Sequence, residues 1–168
     1  VTGVGSRRAF DAVSPRFAGR VTFRVLPDLP AGELFRLLRG LGRESVVLAL
    51  SYSRDAEGRV FDHERIAELL ARSSAVPVFV VHGERLGRGV VGGVLLGGYE
   101  HGQEAGRLAL RVLRGEAADS IPVARATARP EFDYEGLKRW NLDPAALPEG
   151  ARVINVPESF YGKYRSLV

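Results

Sequence analysis

An α/β fold, with a parallel sheet and helices on both faces, is the class this sequence predicts, and three observations predict it. Val46–Leu50 and Val78–Val81 are continuous apolar runs, as strands buried on both faces require. Beside them lie stretches with apolar residues at helical spacing: Leu34, Phe35, Leu38 and Leu41, then Ile66, Leu69 and Leu70. The two kinds of segment alternate, the order expected when crossover helices join parallel strands.

Taken in order, Val1–Val4 predicts a short strand. Gly5-Ser6 then leads into a helix with Ala9, Phe10, Val13 and Phe17 on one side, interrupted at Pro15. Val21, Phe23 and Val25 alternate with polar neighbours, the period of a half-buried strand. Asp28 and Pro30 start the Leu34–Leu41 helix. The polar loop Ser51–Arg59 follows the first apolar run, and Asp62 caps the helix carrying Ile66. Beyond Val81 the rhythm changes, with glycine at 83, 87, 89, 92, 93, 97 and 98, a density suited to hinges and ligand-adjacent loops. The next helix carries Ala105, Leu108, Ala109, Val112 and Leu113, with Gly115 at its C-terminal cap. Ile121–Ala128 reads as a strand that Pro130 stops. Asp133 caps a short helix turning Leu137 and Trp140 inward, and Val153–Val156 adds an edge strand.

The 168 residues suffice for one core, and 26% charged with 45% hydrophobic residues is an ordinary globular balance. The net charge is +4, but the arginines are interspersed with acids, as at Arg54-Asp55, Glu64-Arg65 and Glu84-Arg85, and form no stripe for nucleic acid. Without cysteine there is no disulfide, thiolate metal site or cysteine nucleophile, a usage that agrees with an oxidising compartment. No apolar run reaches the ~20 residues of a membrane helix. Val1 is not an initiator methionine, and the chain reads as a piece of something longer.

Several groups could carry chemistry. Gly3-Val4-Gly5-Ser6-Arg7-Arg8 has two glycines of a dinucleotide loop but arginine where the third belongs, and Asp28 arrives late for the ribose. A tight turn with Ser6 near a ligand carboxylate is the expectation there. Ser51-Tyr52-Ser53-Arg54-Asp55 follows a central strand, where ligands of open parallel sheets bind. Tyr52 offers an aromatic face, Arg54 a planar fork for a carboxylate and Asp55 a carboxylate of its own. A solvated loop with an internal Arg54–Asp55 contact is the alternative. His82, Glu84 and Arg85 follow the next strand on the same edge. Tyr99 opens a helix at the end of the glycine tract, placed either to stack on a ligand or to pack at a hinge. His63, His82 and His101 have no two-histidine metal spacing, and no G-x-S-x-G elbow accompanies the serines. No catalytic residue, metal ligand or cofactor is expected.

Pro77-Val78-Phe79, Gly89-Val90-Val91-Gly92-Gly93, Tyr99-Glu100-His101-Gly102, Val112-Leu113-Arg114-Gly115-Glu116 and Ile121-Pro122-Val123 together resemble ABC-type substrate-binding proteins with a type I periplasmic-binding-protein fold. Leu50-Ser51-Tyr52-Ser53-Arg54-Asp55, with Gly58 and Phe61, is similar to the branch serving as extracytoplasmic sensors of histidine kinases. So are Glu131-Phe132-Asp133-Tyr134, Leu137-Lys138-Arg139-Trp140-Asn141, Leu147-Pro148-Glu149-Gly150 and Pro157-Glu158-Ser159-Phe160-Tyr161 with Tyr164-Arg165.

The resemblance implies a two-lobed domain that closes on its ligand. It assigns 1–88 and 121–168 to the C-terminal lobe and 89–120 to a segment returning to the other lobe, whose remainder would precede Val1. It implies a periplasmic setting, with transmembrane and kinase modules downstream. From this side, ligand would meet Ser6, Tyr52, Arg54, Asp55 and Glu84, with Tyr99 on the returning segment. A small polar solute, an amino acid or organic acid, is the expected partner; nucleic acid is not, and a homodimer is among the expected assemblies. The helix over 100–114 would expose its apolar face. The alternatives are a transporter's soluble solute receptor and, further off, a Rossmann-like nucleotide-dependent enzyme.

Overall fold

The computed structural model describes residues 2–124 and 127–157. A five-stranded sheet runs in chain order: β1 (Val47–Ala49), β2 (Val78–Val80), β3 (Gly92–Leu95), β4 (Arg129–Asp133) and β5 (Arg152–Ile154). β1 pairs in parallel with β2, and β2 with β3; β4 runs antiparallel to β3, and β5 parallel to β4. The fold is thus α/β with a mostly parallel sheet, the one reversal falling where the chain leaves the sheet after Leu95 and rejoins it at Arg129.

One face is covered by α2 (Ala31–Arg39) and α3 (His63–Ser73). The α3 stripe of Ile66, Ala67, Leu70 and Ala71 is buried against Val78 and Val80, which share a face because alternate strand residues point the same way. Asp62 starts this helix as expected, its carboxylate accepting from the Arg65 amide at 2.6 Å. On the other face Phe79, Val91 and Phe132 meet Leu137 of α5 (Tyr134–Arg139), with Trp140, Leu142 and Leu147 around them. Asp133 caps α5 through the Glu135 amide at 3.0 Å and accepts from the Asn155 side chain at 3.2 Å, tying β4 to β5. The second face is covered unevenly: Leu48 and Val94, on the Phe79 side, remain 49% and 56% exposed.

Glycines in the central strand have a packing role. A side chain at Gly92 would run into the Glu131 carbonyl, and one at Gly93 into the carbonyl of Val80, so both neighbouring strands close in only because these residues lack a β-carbon. The tract that reads as loop therefore contains β3.

Three expected strands are corrected. Thr2–Val13 is one helix, α1: the expected helix through Ala9, Phe10 and Val13 is there, but it begins at Thr2 in place of the expected Val1–Val4 strand and the turn at Gly5-Ser6; Val1 lies outside the described residues. Val21–Val25 is in no strand among the described residues: Phe23 meets the rings of Phe10 and Phe17 edge-on, at 5.0 and 6.3 Å, beside α1, while Val21 and Val25 are exposed. Residues 121–124 and 127–128 are not strand; Arg125 and Ala126 lie outside the described residues. Pro130 falls inside β4 rather than ending it. β5 pairs only from Glu131 onward, so beside Pro130 that edge is open and can lack a donor. The Glu158–Arg165 ending also lies outside the described residues.

Helix α4 (Gly98–Leu113) differs from α2, α3 and α5 and is like α1 among the described side chains: none of its residues is buried, and Leu110, Val112 and Leu113 are exposed. The turn after it is closed by Gly115 at φ 93°.

Candidate functional site

The carboxyl ends of β1 and β2 bring together residues from four segments. The loop after β1 carries Ser51 and Tyr52, the first turn of α3 carries His63, and the stretch after β2 carries His82, Glu84 and Arg85. Beyond the end of β3, Leu96 is held there by two backbone bonds, its amide donating to Val81 at 3.1 Å and its carbonyl accepting from Gly83 at 3.0 Å. This is the position where open parallel sheets bind ligands, beyond the strand ends and between their connections.

The Ser51–Asp55 loop is built largely for its own shape. The Tyr52 hydroxyl donates to the Leu29 carbonyl at 2.9 Å, and its ring stacks on Phe61 with centroids 6.3 Å apart. Burial, reinforced by the charges of Asp55 and Asp28, pushes its hydroxyl up to about 12. Asp55 is buried, and its carboxylate accepts from the amides of Ala31, Glu57 and Arg59 at 3.2, 3.1 and 2.8 Å. Burial alone would raise its pKa; the amide bonds outweigh that and hold it below the usual carboxylate range. Ala31 opens α2, whose preceding Pro30 gives no side-chain cap, so Asp55 caps that helix from a distance. The expected Arg54–Asp55 contact is not among the ion pairs of the described residues. Arg54 is exposed, its backbone bridged to Val60.

Ser6 lies inside α1 rather than at a helix start. The helix nevertheless reaches the site, since a methyl at Gly3, one turn earlier, would lie 3.7 Å from Oγ of Ser51. Glu84 is exposed beside His82, and Tyr99 is 77% exposed in the first turn of α4. The structure thus gathers Glu84 and the Tyr52 loop at one edge, leaves Arg54 and Tyr99 in solvent, and commits the Asp55 carboxylate to the backbone.

Beneath this rim lies a basic cluster. The His63 and His82 rings have centroids 5.9 Å apart. Burial lowers the His82 pKa first, and the positive charge of Arg85 lowers it further, against the opposing pull of Glu84 and a hydrogen bond to the Leu50 backbone. Arg85 is 0% exposed. Its Nη1 donates to the Ala49 carbonyl at 3.3 Å, while Nε and Nη2 have no partner among the described residues. Burial pushes its pKa down, opposed by the charge of Glu84. Topology places Arg85 on this edge from sequence, but its burial is not legible there, because an arginine among polar neighbours reads as surface.

A shallow cleft of about 340 Å³ lies instead at the carboxyl ends of β4 and β5, lined by Gly87, Gly89, Asp133, Gly136, Arg139 and Asn155. Glu135 also lines it; the Asp133 carboxylate already has partners in the Glu135 amide and the Asn155 side chain, and the Arg139 guanidinium sits 5.0 Å above the Trp140 ring. The β1–β2 edge, with unpartnered buried donors, is the stronger candidate. Among the described residues no group of three His, Asp or Glu side chains could hold a metal ion. No protein-family profile, curated protein or solved structure matches the chain.

Proposed function

We propose that this chain is a lobe of an extracytoplasmic small-molecule sensor of the histidine-kinase type, in which ligand closes a cleft between two lobes. The observation that carries this reading is the excursion between β3 and β4. The chain leaves the sheet at Leu95 and returns at Arg129, directly opposite, and the helix it makes in between has no buried residue. A 16-residue helix with exposed Leu110, Val112 and Leu113 gains too little from its own backbone to stand in water, and such a face calls for a packing partner. A second lobe supplies that partner. The paired strands beside the basic cluster then form the crossing on which the lobes close.

In this reading the ligand lies over the β1–β2 edge, against Tyr52, His82 and Glu84, with Tyr99 approaching from the returning helix. The protein carries out no chemistry on it. Small-angle scattering and thermal unfolding of the two-lobed protein, screened with amino acids, organic acids, sugars and nucleotides, test the proposal. A small polar solute should raise the midpoint by mass action and reduce the radius of gyration. Stabilisation by a nucleotide alone, without compaction, sinks the sensor reading in favour of a Rossmann-like enzyme.

A further inference from the structure

A guanidinium carries five N–H donors and cannot shed its charge at neutral pH, so burying one with a single acceptor is costly unless something else fills the remaining positions. Arg85 is in this situation among the described residues, with one bond to Ala49 and two sealed nitrogens without a partner. Which nitrogens are free matters. Nε and Nη2 form one edge of the guanidinium plane, with two parallel N–H bonds directed to the same side, and this edge grips a carboxylate or phosphate in two-pronged fashion.

The surroundings favour an anion as well. The start of the 11-residue helix α3, where helix polarity is positive, lies close by: His63 in its first turn has its ring 5.9 Å from that of His82. Glu84 is the carboxylate whose charge reaches Arg85, and it is exposed. The Asp55 carboxylate, also in this region of the chain, is occupied by three amides.

We infer that the Nε–Nη2 edge of Arg85 is the receptor for one oxyanion group, carboxylate or phosphate, of the ligand held at this edge of the sheet. The inference rests on the ligand-binding reading above and names the class of ligand. Because the edge is sealed, the oxyanion is admitted by local opening where Leu96 is held against Val81 and Gly83 by its two backbone bonds. Beyond that point α4 has no buried side chain to dislodge.

The test is thermal unfolding of the chain in sodium acetate and in sodium phosphate, each exchanged for chloride at fixed ionic strength, on the wild type and on Arg85→Met. The Arg85 Nε–H resonance is followed by NMR in the wild type. The wild-type midpoint should rise saturably, by roughly 3–6 °C at about ten times the probe's Kd, with the Nε–H resonance moving along the same isotherm. The larger effect identifies the carboxylate or the phosphate. Arg85→Met should melt at or above the wild type without probe, because an unmet buried charge has been replaced by an apolar chain, and should not respond to either anion. A flat wild-type response with an unmoved resonance overturns the inference whatever the variant does, and assigns those positions to ordered water. A Met variant that responds like the wild type overturns it equally. A neutral solute that compacts the two-lobed protein with Arg85 unaffected overturns the inference but leaves the sensor reading intact. Anion binding at Arg85 without compaction does the reverse.

Discussion

Replacing Gly136 by alanine tests whether α5 is seated on the sheet as described. The added methyl would lie 2.7 Å from the Val90 carbonyl oxygen, 3.0 Å from Cα of Val91 and 3.3 Å from the Val90 carbonyl carbon. Carbon atoms in contact prefer about 3.5–4.0 Å, so the helix must retreat by roughly 0.5–1 Å. The obstructing atoms are backbone, and Val90 and Val91 are both fully buried, so no side chain can swing aside. Overpacking of this kind costs about 1–3 kcal/mol, and the helix-propensity gain of alanine over glycine returns at most about 1 kcal/mol. A net loss of about 1–2 kcal/mol is expected. Trp140 follows α5 and packs on its cluster, so urea unfolding followed by tryptophan fluorescence reads both stability and seating. Gly106→Ala is the control: nothing lies within 4 Å of a methyl there, in the middle of α4, and a gain of about 0.5–1 kcal/mol follows from propensity alone. If Gly136→Ala were as stable as the wild type with unchanged emission, the close approach of α5 to Val90–Val91 would be refuted.

Three further outcomes are expected. Ile66→Ala, at a fully buried position of α3, should cost about 2–5 kcal/mol in the same urea titration; a loss under 1 kcal/mol would mean that α3 does not close the core. Burial and Arg85 depress the His82 pKa, so the unfolded chain takes up this proton first, and stability should fall as pH drops through the ordinary value of about 6.5 and on to the lower folded value. His82→Gln should remove that step from a plot of unfolding midpoint against pH, and an unchanged profile would assign the step elsewhere. Asp55→Asn should loosen the start of α2, seen as faster amide exchange at Ala31, Glu57 and Arg59 than in the wild type; unchanged exchange would show that these amides do not depend on the carboxylate.

Sequence period identifies elements whose apolar residues recur regularly, and this includes α4, which is a helix as its spacing predicts although none of its residues is buried. Val78–Val81 and the helices after Pro30 and Asp62 are legible because burial on specific faces dictates their spacing, whereas Val46–Leu50 is a strand but not the central one its apolar run implies: β1 is the edge of the sheet and Leu48 stays exposed. The Val21–Val25 alternation fits a strand equally well, yet of its side chains Phe23 meets Phe10 and Phe17 while Val21 and Val25 stay exposed, and a pattern cannot tell which partner a face will find. β3 is hidden because Gly92 and Gly93 are demanded by close strand approach, while glycine in sequence signals a loop. The candidate site divides the same way. Topology points to the loops after β1 and β2, but whether Asp55 meets a ligand or three amides depends on where Ala31 lies, 24 residues away in the chain. Arg85 is on the right edge in sequence, and only the structure shows its free donor edge.

The antiparallel pairing of Leu95 with Arg129 has a consequence for how the chain could be rebuilt. Its ends meet, so the chain between them is topologically a hairpin loop, and beyond Leu96, which is still bonded to Val81 and Gly83, the sheet does not need its length. The ordering cost of closing such a loop grows by about 0.6 kcal/mol per doubling, so shortening roughly 30 residues to a four-residue turn relieves about 2 kcal/mol. A protein trimmed in this way should keep its sheet and grow more stable while losing helix α4, none of whose residues is buried. The segment is therefore maintained against a thermodynamic gradient that favours its deletion, and it can be lengthened, exchanged or grafted between lobes without renegotiating the core.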